Sequence, residues 1–155
     1  MSVEDADRSL MHAAIVAAER GLGAGQAPFG CALSLHGRAP VVAHNRVAAS
    51  GDPTTHAEIE ALRLAAARTG REQLRGATVA CSAEPCPMCA SALFWAGVGR
   101  IVYAASIADL VELGIDQQAL GVRELVTRIA PEVALRGGVE REASLALFRR
   151  WGASH

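Results

Sequence analysis

The sequence changes period within its first third, and that change limits the folds open to it. Leu10, Met11, Ala14, Ile15, Ala18 and Leu22 recur at helical spacing, and Gly21, Gly23 and Gly25 end the run. Directly afterwards Phe29 to Leu35 and Val41 to Asn45 form two short β-like runs joined by His36-Gly37-Arg38, the pattern of a hairpin. The alternation then continues. A helix opens just after Asp52-Pro53-Thr54-Thr55, carries Ile59, Leu62, Ala65 and Ala66, and closes at Gly70. Ala77 to Cys81 reads as a strand, and Ile101 to Ala104 as the next. Between them a helix from Pro87 to Trp95 has proline at its first position and Gly97 just past its end. Weaker signals give helical pieces at Ile107 to Leu113 and Val122 to Ile129, a strand at Val133 to Val139, and a terminal helix from Glu142 to Trp151. Strands alternating with helices predict an α/β layer structure, its first strand pair antiparallel and the rest parallel.

At 155 residues, 51% of them hydrophobic, the chain reads as a single domain over residues 1–155 that needs no disulfides. Fifteen arginines face 16 acidic side chains for a formal net charge of -1, and there is no lysine. The absence of lysine excludes Schiff-base chemistry, pyridoxal-phosphate catalysis and lysine-dependent phosphate loops. Balanced charge argues against a general nucleic-acid binder and favours a small-molecule partner. The acidic start, Met1-Ser-Val-Glu-Asp-Ala-Asp7, lacks a signal-peptide pattern, and the most apolar stretch, Met88 to Ala108, is broken by Gly97, Gly99 and Arg100. No membrane span is expected, and a cytoplasmic location is. There Cys31, Cys81, Cys86 and Cys89 stay reduced and require a chemical explanation.

Two short stretches carry chemistry. In Thr55-His56-Ala57-Glu58, Thr55 and Glu58 have the spacing of a capping box. Pro85-Cys86-Pro87-Met88-Cys89 has the spacing of a redox pair or of half a structural zinc site. Taken together they point elsewhere. A structural zinc closes with four protein ligands, whereas only His56, Cys86 and Cys89 are well placed, which leaves a fourth position for water. His56 and Cys86 both fall at helix N-termini, where the partial positive charge favours thiolates. Such a metal lowers the pKa of water from about 16 toward about 7, and Glu58, two residues past His56, is the natural proton carrier.

The pairing of His56-Ala57-Glu58 with Pro85-Cys86-Pro87-Met88-Cys89 resembles the signature of the cytidine-deaminase superfamily of zinc deaminases. The likeness continues through Pro28-Phe29-Gly30, Asn45, Asp52-Pro53-Thr54 and Tyr103-Ala104-Ala105, covering Leu10 to Asp116. Within the superfamily it resembles the branch that holds bacterial guanine deaminases and tRNA adenosine deaminases. The resemblance implies a three-layer α/β/α cytidine-deaminase-like fold with a five-stranded mixed sheet, one zinc ion (Zn2+) per chain and a homodimer. It implies zinc ligands at His56, Cys86 and Cys89, a proton shuttle at Glu58, and substrate contacts at Asn45, Phe29, Ala57 and Trp95. One departure is visible: many relatives carry a further cysteine where this chain has Ala83, so Cys31 and Cys81 are expected to be spectators in the core.

The segment from Ser106 to Gln117 resembles the corresponding region of guanine deaminases rather than the glycine- and alanine-rich segment of the tRNA enzymes. A carboxylate at Asp116 would accept from the amine and N1–H of guanine and be repelled by the N1 acceptor of adenine. The expected reaction is therefore guanine plus water to xanthine plus ammonia. Adenosine in tRNA is the runner-up, with Arg149-Arg150 as either a local RNA contact or a solvated face. Cytosine, cytidine, another nucleoside or an aminotriazine would suit the same machinery. Glu58 counts against a catalytically silent zinc fold, which has no use for a carboxylate beside an open ligand position.

Overall fold

The computed structural model describes residues 1–153. Five strands, β1 (Gly30–Leu35), β2 (Arg38–His44), β3 (Thr78–Ala83), β4 (Arg100–Ala105) and β5 (Ala134–Arg136), form one sheet in the order β2-β1-β3-β4-β5. The α-helices are α1 (Val3–Gly23), α2 (Val47–Ser50), α3 (Ala57–Thr69), α4 (Pro87–Ala96), α5 (Ile107–Glu112), α6 (Val122–Ile129) and α7 (Arg141–Ala153). A 3-10 turn spans Arg71–Leu74. No helix of the described residues is long and apolar enough to cross a membrane.

The period-2 alternation of the strands divides the core into two layers. Cys31, Leu33, Val79, Cys81 and Ile101 point to one face, where α3, α4 and α6 pack with Ala57, Ala61, Leu93, Val122 and Val126. Ala32, Ala80, Val102 and Ala104 point to the other, against Met11 and Ala14 of α1. Small residues let α1 approach closely: a side chain at Gly30 would run into the Ala14 carbonyl and the Ala18 backbone. A third cluster, Ala83, Ala105, Leu110, Leu145 and Phe148, closes the end of the sheet at which β3 and β4 finish. There α7 is tied down by Ser144, whose hydroxyl donates to the Ser82 carbonyl at 2.5 Å, while the Ser82 hydroxyl accepts from Gly30 N at 2.8 Å.

Three expectations change. The β1–β2 pair is antiparallel and β3–β4–β5 is parallel, as anticipated, but β1 is antiparallel to β3 as well. The crossover through α3 makes β3 parallel to β2, and β1 lies between them, so it opposes both. The first helix begins far earlier than its apolar stripe, because Ser2 and Asp5 form a capping box in the acidic N-terminus. The third concerns Thr55: its hydroxyl donates to the Asp52 carbonyl at 2.8 Å rather than capping a helix, and the N-cap of α3 is His56.

Candidate metal centre and cavity

The metal-ligand candidates are delivered by two helix starts built alike. The turn before α3 is fixed by Asp52, whose carboxylate accepts from Thr54 N at 2.8 Å and the Thr54 hydroxyl at 2.7 Å. This leaves His56 as an extended N-cap (φ -68°, ψ 158°) whose ring makes no capping bond to α3. Cys86 is the N-cap of α4 in nearly the same conformation (φ -68°, ψ 167°), and Pro87 supplies the pre-set first helical residue. One turn on, Cys89 is fully buried.

Folding brings the three together. His56 Nδ1 lies 3.7 Å from Cys86 Sγ and 3.6 Å from Cys89 Sγ, and all three donor atoms fall within 4.8 Å of one another. A tetrahedral zinc with bonds of about 2.0 Å to nitrogen and about 2.3 Å to sulfur spans nitrogen–sulfur edges of about 3.5 Å, so the residues present fit that ion. The hydrogen bond from the Cys89 thiol, reinforced by His56, draws the Cys86 thiol down to about 4. His56 in turn is raised, chiefly by its bond to Cys86.

Glu58 occupies the second position of α3 and is 6% exposed. Burial is the first cause that holds its carboxyl above the ordinary carboxylate range, and the charge of Cys86 adds to it. A carboxyl kept easy to protonate at the floor of a cavity is suited to taking up and giving back a proton.

The cavity itself has a volume of about 570 Å3 and opens beside His56, Glu58 and Cys86. Phe29 forms one wall, braced edge-on by Phe148 at a centroid distance of 4.9 Å and an interplanar angle of 70°. Asn45 forms another: its backbone N donates to the Phe29 carbonyl at 2.9 Å and its Oδ1 accepts from Val47 N at 3.0 Å, which leaves the amide NH2 as the group to offer a ligand. Asp116 stands exposed at the rim on the loop between α5 and α6.

Sequence reasoning therefore placed His56, Glu58, Cys86, Phe29, Asn45 and Asp116 on one cavity. Two expected contacts are not brought there. Ala57 is fully buried in the core behind the site, and Trp95 is 74% exposed on the last turn of α4, packed edge-on against Phe94. Cys31 and Cys81 are buried cross-strand partners in β1 and β3, as expected of core residues. Arg149 and Arg150 are engaged on the surface with Glu142 and Glu19. Missed altogether were Glu84, Gln117 and Trp151, which also line the cavity. Glu84 directly precedes the cysteine motif and was open to notice; Trp151 lies far along the chain and carries no local signal.

Comparison with known proteins agrees with this geometry. Residues 4–105 match the cytidine and deoxycytidylate deaminase zinc-binding region. The chain is 39% identical over 104 residues to a guanine deaminase of Bacillus subtilis, covering 66% of this chain and 67% of that protein. It is 40% identical over 80 residues to a tRNA-specific adenosine deaminase of Agrobacterium fabrum, covering 52% of this chain and about half, 53%, of that one. Among solved structures, that of a mutant protein in complex with 8-azaguanine superposes with a TM-score of 0.83 at 26% identity over 96% of this chain and 85% of that one. With the helix-start ligands, the buried carboxyl and the family match in agreement, the chain belongs to the cytidine and deoxycytidylate deaminase zinc-binding family and is a hydrolytic deaminase of C–N bonds.

Proposed function

We propose that the protein converts guanine to xanthine and ammonia. The observation that carries this reading is the exposed carboxylate of Asp116 at the rim of the cavity that contains Glu58, Asn45 and Phe29. Similarity to the Bacillus subtilis guanine deaminase supports it. His56, Cys86 and Cys89 would hold one zinc ion, which when bound supplies Lewis-acid activation of water near neutral pH. Glu58 would take the proton given up by the attacking water, pass it to a ring nitrogen of the base and later help protonate the departing amine. Phe29 packs on the planar base, and the Asn45 amide donates to an acceptor on its edge. Asp116 accepts from the amine and N1–H, a pattern that adenine cannot present.

Ammonia release from guanine, guanosine, adenine, cytosine, cytidine and a tRNA anticodon stem-loop tests the assignment. Guanine should be turned over fastest. A protein that deaminates only adenosine in the stem-loop would replace this reading with the tRNA one.

The functional unit in this reading is a homodimer. Phe94 and Trp95 are 37% and 74% exposed side by side, a patch suited to a second copy of the chain. Light scattering decides the point, and a fully active monomer would exclude the dimer.

A further inference from the structure

The first turn of α6 has a backbone N–H with no local acceptor. Its N-cap is Gly121, which makes no side-chain capping bond. The acceptor comes instead from Glu84, 38 residues earlier in sequence: Val122 N donates to Glu84 Oε2 at 3.1 Å, in the position where a helix N-terminus favours an anion. Glu84 sits between β3 and α4, two residues before Cys86, and its own N–H is bound to the Ala105 carbonyl at 2.7 Å at the end of β4. The carboxylate thus projects from a rigid junction, lines the cavity, and holds the C-terminal end of the loop that carries Asp116 and Gln117. The helix that precedes the loop is held independently, because Asp109 in the first turn of α5 accepts from Ser106 N and pairs with Arg141 of α7.

We propose that Glu84 is a positioning residue for substrate recognition: it locks the loop between α5 and α6 to the junction that bears the cysteines, and so sets where Asp116 stands relative to the bound base. This deepens the guanine reading and rests on it for its kinetic consequence. A carboxylate chosen only to cap a helix could sit anywhere on the surface. This one lies at the point where the metal motif and the substrate loop meet.

The test compares Glu84→Ala and Glu84→Gln in the full chain by metal content, amide exchange and guanine kinetics. Glu84→Ala should keep its zinc, speed amide exchange of the loop and Val122 roughly tenfold while leaving α3 and α4 unchanged, and raise KM for guanine more than it lowers kcat. Glu84→Gln keeps an acceptor oxygen and should restore both exchange and KM. Unchanged loop exchange in Glu84→Ala, a uniform rise across the whole chain, loss of zinc, or no rescue by glutamine would each overturn the clamp. A wild type inactive on guanine overturns the substrate reading alone, since exchange and metal content read the clamp without it.

Discussion

The floor and the wall of the cavity are made differently. Every group proposed to handle the metal or move a proton stands within the first turn of α3 or α4, on backbone fixed by helix geometry and, before α3, by the Asp52 turn. Beside Phe29 and Asn45, the wall over that floor comes from the loop between α5 and α6, which displays Asp116, and from the last turn of α7. The floor is largely buried and the loop mostly exposed. Atoms that must be placed within fractions of an ångström sit on rigid elements, while the group proposed to select among bases sits on a surface loop.

Substitutions on the two sides should separate accordingly. The largest effect belongs to the floor: Cys86→Ala or Cys89→Ala should abolish zinc binding and activity together, which metal analysis of the purified variants reads directly. A wild type without zinc and with a stable Cys86–Cys89 disulfide would replace a metal floor with a redox pair. Glu58→Gln should keep its zinc and fold yet lose roughly 10²–10⁴-fold in kcat. On the wall, Asp116→Ala should reduce guanine turnover with zinc content and melting temperature unchanged, and an equal loss on cytosine would show that the wall does not select.

The smallest effect tests how the wall is held. Arg141 draws the Asp109 carboxyl from its ordinary 3.8 down to about 2. Because the folded value is the lower one, the pair contributes fully above about pH 4, and the contribution disappears as pH falls through about 2. Arg141→Ala should therefore lower stability slightly in urea unfolding near pH 6, with a difference from wild type that shrinks near pH 2. A pH-independent loss would mean that the side chain acts through packing.

What the sequence revealed follows the same division. His56, Glu58, Cys86 and Cys89 were legible because each motif lies within four residues and helix geometry converts that spacing into proximity. Strands were legible from their alternation, since Leu33 and Val79 face one layer and Ala32 and Ala80 the other. Glu84 and Trp151 were not, because their roles depend on which distant segments meet them. Trp95, expected at the site from the resemblance alone, stands exposed on the last turn of α4 and does not line the cavity. Strand direction failed at β1 and β3 because no local signal records that the crossover passes over a strand already in place.

The docking of α7 bears on the order in which the protein is made. All three metal-ligand candidates precede residue 90, whereas Phe148, which braces Phe29, and Trp151, which lines the cavity, arrive with the last helix. A chain emerging from the ribosome therefore carries all three candidate metal ligands before the segment that completes the cavity. That segment is the helix that the Ser144–Ser82 hydrogen bond fastens to the sheet.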